Sequence, residues 1–173
     1  MSAVSENLPW LIRPIAPGDR DGLTRFYSAL SPDSLEARFH GATPGIGEPT
    51  ARFFCGPDHE HREGFVAEIA DASGQSVIVG HACLEPISAS QAEMAIAIAD
   101  RWQHHGLGRA MLARAITWAR DHSVTTLSAS IRSSNGAMIG LVRSTGLPVT
   151  VDDGDGGVLD AIIDLAVPLP HAA

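Results

Sequence analysis

The run Gln103-His104-His105-Gly106-Leu107-Gly108 joins an apolar segment, Glu93 to Ala99, to an amphipathic one, Gly106 to His122. Glycine is a poor helix former. Two glycines at a helix start suggest that something must approach the backbone there. The first helical turn carries unpaired N–H groups and the positive end of the helix dipole. Glycines let an anion rest directly on those amides. Arg101, His104, His105 and Arg109 add positive charge around the turn. The chemistry is that of a phosphate or pyrophosphate seat. A dinucleotide-binding loop fits poorly, because Met111 stands where a third small residue belongs and no N-terminal βαβ unit surrounds it.

The flanking elements must position this turn. Met94, Ile96 and Ile98 alternate with Ala95, Ala97 and Ala99, which reads as an interior strand with one face of small residues. After the turn, Leu107, Met111, Leu112, Ala115, Ile116, Trp118 and Ala119 fall on one half of a helix, with Arg109, Ala113, Arg114, Thr117 and Arg120 on the other. Upstream, Trp10 to Ile15 reads as a strand. Asp19 is placed to cap a helix running to Leu30, and Ser31-Pro32 to start a second. A short helix is expected around Thr50–Gly56. Gly64–Asp71 and Val77–Ile87 read as strands joined at Ser73-Gly74. Downstream come a strand, Val124–Ile131, a helix from Asn135 ended by Gly146, and a hairpin of Leu147–Val151 with Val158–Val167. The expected fold is a single α/β domain over residues 1–173, with a mixed, mostly antiparallel central sheet flanked by helices.

Composition narrows the partners. The net charge of -8 argues against nucleic acid and anionic membrane. No stretch is apolar enough to span a bilayer, and "MSAVSENLPW" lacks the features of a signal peptide. Cys55 and Cys83 read as buried thiols, which places the protein in the cytoplasm. All 12 basic residues are arginine. The His59-Glu60-His61 stretch reads as a polar loop without a third metal ligand, and no metal is expected. "DDGDGG" lacks the spacing and closing glutamate of a calcium loop.

Gln103 to Gly108 resembles the Q/R-x-x-G-x-G/A signature of the GCN5-related N-acetyltransferases, the GNAT superfamily. "NGAMIGLVRSTGL" is similar to the closing helix of that family. "RPIAPGDRDGLTRFYSALSPDSLEARF" looks more narrowly like the GNAT domain of bacterial protein lysine acetyltransferases. The resemblance spans about Trp10 to Val167. It implies acetyl transfer from acetyl-CoA to a primary amine, on a protein lysine or a small molecule. The cofactor's pyrophosphate would lie on Gln103, His104, His105, Gly106, Leu107, Gly108 and Arg109. Its pantetheine arm would pair with the backbone of Ile96, Ala97 and Ile98, where an N–H would also face the thioester oxygen. Asn135, itself a natural helix N-cap, aligns with an asparagine that hydrogen-bonds the cofactor.

Transfer to an amine needs a proton acceptor. Glu93 heads the central strand, and the resemblance also assigns a strand glutamate this role. Many members carry a tyrosine acid in the closing helix, where this chain has Val142. Ser133, Ser134 and Ser144 are the nearby substitutes. A thiol with a pKa near ~8.5 can also leave without an acid. A non-catalytic acyl-CoA-binding or sensory module would keep the turn but need no base. Many relatives dimerise, so a homodimer is expected by analogy.

Overall fold

The computed structural model describes residues 9–167. Strand β1 (Leu11–Pro14) leads into three helices, α1 (Arg20–Ser28), α2 (Pro32–Phe39) and α3 (Glu48–Phe54). Strands β2 (Glu63–Ala70), β3 (Ser76–Ser88) and β4 (Gln91–Ile98) follow as an antiparallel meander. Then come α4 (Leu107–Asp121), β5 (Thr126–Arg132), α5 (Gly136–Arg143), β6 (Val149–Asp153) and β7 (Val158–Asp164). The strands form one sheet in the order β1-β2-β3-β4-β5-β7-β6, and only β4 and β5 are parallel neighbours. The expected mixed, mostly antiparallel sheet is therefore present. Among the described residues, no helix is long and apolar enough to cross a membrane.

Each face of the sheet carries its own core. On one face, α4 buries Leu107, Met111, Leu112, Ala115, Ile116, Trp118 and Ala119, the half-circumference expected from their spacing. Met94 joins this cluster, with Ile96 and Ile98 packed against it. On the other face, Leu23, Phe26 and Tyr27 of α1 and Leu35 of α2 pack with Val66 and Ala97. Burying a side chain of this size contributes about 1.5–3 kcal/mol, so the alternation along β4 fixes which face meets which helices. Cys55 and Cys83 are both free and buried.

Two helix starts differ from each other in origin. Ser31 caps α2 as expected, its hydroxyl accepting from Ser34 N at 3.2 Å. Asp19 does not cap α1. It instead takes both Arg13 guanidinium nitrogens at 2.8 Å and the Ala16 N–H at 2.8 Å. A carboxylate gains more from a charged fork than from a neutral amide, and β1 brings Arg13 within reach. Downstream, Gly146 at φ 73 follows α5 in the left-handed region expected of a helix-ending glycine.

Candidate active site

β4 and β5 separate at one point. Their parallel pairing holds at Gln91↔Thr126, Ala92↔Leu127 and Glu93↔Ser128, and goes no further. Met94–Ile98 keeps β3 on one side and, among the described residues, has no strand on the other. Ala129–Arg132 likewise keeps only β7. The gap opens into a cleft of about 1060 Å³. Its walls are the two free strand edges, α2, the start of α4 and α5.

Backbone alternation decides which groups face the gap. Ala99 N–H donates to Val79 O at 2.9 Å, so odd-numbered residues here turn their backbone toward β3. Met94, Ile96 and Ile98 then turn theirs toward the cleft. Ile98 O already accepts from Gln103 Nε2 at 3.2 Å. The edge that an extended ligand could pair with is therefore Met94, Ile96 and the N–H of Ile98. Ala97 was expected to pair too, but its backbone faces β3, and it gives the cleft only a small side chain.

The turn before α4 is also open. Gly106 is the N-cap at φ 87, with no side-chain cap on the first-turn amides. Nothing lies within 4 Å of where a Gly106 Cβ would sit. His104 is left-handed as well, at φ 62, a conformation uncommon for a residue with a side chain. No acidic residue occupies the first turn. Gln103, His104, Gly106, Gly108 and Arg109 all line the cleft.

Two residues expected at this turn point elsewhere. The side chain of Leu107 is fully buried in the core, leaving only its amide for a ligand. His105 does not line the cleft; its Nδ1 lies 2.6 Å from Gln103 O. Gln103 works as a brace, donating to Ser34 Oγ at 3.1 Å as well as to Ile98 O. Asn135 caps α5, its Oδ1 accepting from Met138 N at 3.0 Å. Among the described residues its amide NH₂ has no partner, and the residue lines the cleft.

Glu93 sits where the strands part. It is exposed, lines the cleft and forms no ion pair or side-chain hydrogen bond among the described residues. Its cross-strand neighbour Glu85 is held by Arg62 at 2.6 and 2.9 Å. Val142, at the position of the family's tyrosine, is fully buried. Tyr27 lies 2.8 Å from His81 Nδ1 inside the core, outside the cleft. Of the serines, Ser134 and Ser144 line the cleft, and Ser144 Oγ donates to Leu141 O at 2.7 Å. His59 and His61 take separate partners, Glu63 and Asp58.

Sequence reasoning missed how α2 is hung over the gap. Asp100 accepts from Ser31 N at 3.0 Å, Ser31 Oγ at 2.6 Å and Ser34 Oγ at 2.7 Å. Glu36 pairs with Arg132 at 2.9 Å, tying α2 to the free edge of β5. These contacts join residues 66 or more positions apart. Of these residues only Ser31 was visible beforehand, as a helix start.

Residues 25–147 match the family model of the acetyltransferase (GNAT) family. The chain belongs to that family. It is an acetyl-CoA-dependent N-acetyltransferase by that membership. The fold is similar to the GNAT domain of S. lividans PAT, with a TM-score of 0.78, 23% identity and 88% and 89% of the two chains covered. It also resembles a ribosomal-protein-alanine N-acetyltransferase from Brucella melitensis, at 0.68, 25%, 89% and 99%. A spermidine N-acetyltransferase from Vibrio cholerae, in complex with CoA and spermine, gives 0.69, 18%, 92% and 98%. The last two are named for different acceptors, so the shared fold does not choose one.

Residues in this enzyme fit the coenzyme. The uncapped amides of α4, with open space over Gly106, suit a pyrophosphate. The free edge of β4 suits an extended amide-bearing arm.

Proposed function

We propose that the enzyme transfers acetyl directly to a primary amine, with Glu93 as the general base. The observation that carries this is the end of β4–β5 pairing at Glu93↔Ser128, which sets a carboxylate beside an unpaired strand edge. Acetyl-CoA supplies an activated thioester when bound. The amides of Leu107, Gly108 and Arg109 hold the pyrophosphate, Ile96 and Ile98 align the arm, and the Asn135 NH₂ steadies it.

Glu93, Ala95 and Ala97 share the face toward α2, so the acceptor enters between that helix and the strand. Glu93 removes the proton of the ammonium, directly or through water. The free amine then has a lone pair to attack the thioester carbon. The Ile96 N–H stabilises the charge that develops on the carbonyl oxygen. The thiol leaves without a tyrosine acid, which its pKa near ~8.5 allows.

Coenzyme A release with a panel of amines and a lysine-bearing peptide tests the reading. Release dependent on one class of amine supports it. Tight coenzyme binding without release for any amine contradicts it.

A further inference from the structure

Arg38 lines the cleft from α2, where the Glu93 charge acts on it without forming an ion pair among the described residues. Its Nη2 donates to Cys83 Sγ at 3.3 Å, and its Nε is buried with no partner. Its guanidinium carbon sits 4.9 Å from the Phe39 ring and 5.5 Å from the Phe54 ring. The rings hold the group in place but carry no charge to oppose it. No carboxylate among the described residues forms an ion pair with it. Burial pushes both the Cys83 thiol and the Tyr27 phenol up, so neither is an anion near neutrality. Largely buried guanidinium groups ordinarily find a carboxylate or phosphate.

The other arginines of the cleft have partners of their own. Glu36 and Arg132 hold each other. Arg109 lies at the α4 end, where its Nη2 meets Ser144 O at 3.3 Å. Asp33 lies at the N-terminal end of α2, away from Arg38. Among the described residues, Arg38 is then an unpaired cation of the cleft, and Glu93 an unpaired carboxylate beside the strand edge, with Asp33 a second one at the far end of α2. Cys83 pairs with Ala95 across the strands, and Glu93 is two residues further along, or about 7 Å.

We propose that the acceptor is a small amino acid-like zwitterion whose carboxylate pairs with Arg38 while its amine faces Glu93. This deepens the acetyl-transfer reading and rests on it. An ammonium and a carboxylate on one carbon or a short chain fit that span, each over a hydrogen bond of about 2.8 Å. An aliphatic polyamine would set a second cation against Arg38. A peptide lysine would leave Arg38 unpaired.

The experiment compares free L-amino acids with their carboxamides, with spermidine and with a lysine peptide as acceptors, by coenzyme A release. At least one free amino acid is expected to exceed its own carboxamide by about tenfold or more in kcat/KM. Arg38→Gln should erase that preference through KM, and Arg38→Lys should restore part of it, with acetyl-CoA affinity by calorimetry unchanged. Equal use of acids and amides, or a preference for spermidine or the peptide, overturns the carboxylate site and leaves Glu93 standing. Calorimetry of amino acids against the coenzyme A-loaded enzyme separates the two readings. Arg38-dependent binding without turnover refutes acetyl transfer but keeps this site; neither binding nor turnover refutes the site itself.

Discussion

Gly106→Ala separates what the fold requires of that glycine from what the coenzyme requires. The residue stands at φ 87 and ψ -7. An L side chain in the left-handed region costs about 1–2 kcal/mol. The new Cβ would meet nothing within 4 Å, so no clash adds to that figure. The free protein should lose about 1–2 kcal/mol in urea unfolding. For a chain of this size that is a melting shift of about 2–8 °C, short of unfolding a domain with about 5–15 kcal/mol in hand. From sequence, with ordinary backbone angles assumed, the same change would be neutral or stabilising; the positive φ reverses the sign. Gly106→Asn should cost less, since asparagine tolerates this region. Because the Cβ points into open space over the amides, coenzyme affinity should fall as well. A Gly106→Ala protein as stable as the parent would refute the left-handed cap.

Three further perturbations probe other parts of the account. Gly108→Glu places a carboxylate at the pyrophosphate seat and should weaken coenzyme A by at least about tenfold, or 1.4 kcal/mol, in calorimetry; unchanged affinity in a folded variant would move the seat elsewhere. His81 is fully buried, and burial, helped by Arg38, holds its pKa down to about 3 against 6.5 when unfolded. The unfolded chain binds that proton first as pH falls, so His81 subtracts about 2 kcal/mol between pH 7 and pH 5; His81→Gln should lose that pH sensitivity, and equal sensitivity would mean the imidazole is not held neutral. Asp100→Ala should cost about 1–2 kcal/mol from lost hydrogen bonds and raise KM for the acceptor more than for acetyl-CoA; equal effects on both would detach α2 from the acceptor side.

Periodicity was a reliable guide wherever one element buries one face. The apolar half of α4 and the alternation along β4 are both read from neighbours in sequence, and the cores follow them. Asn135 and Ser31 were legible for the same reason, since a cap lies within three residues of its partner. Asp19 was misread because its better partner, Arg13, arrives from another element. The same limit hid Asp100, whose bonds to Ser31 and Ser34 have no local signature. The motif at Gln103–Gly108 located the seat but not the division of labour within it. Helical geometry sends Leu107 inward, and the brace to Ser34 and Ile98 occupies Gln103. Arg38 gave no signal at all, because a missing counter-ion is visible only once every neighbour has been placed.

The pH profile of Glu93→Gln tests the central claim most directly. The variant keeps the size of the side chain and removes the base at the point where β4 and β5 part. General base catalysis contributes about 10²–10⁴-fold, so kcat at neutral pH should fall by that factor with coenzyme A affinity nearly intact. Raising the pH should recover part of the loss, because more of the amine then arrives neutral. Near-normal turnover with an unchanged profile would contradict the account and pass the proton to water or to a histidine of the cleft.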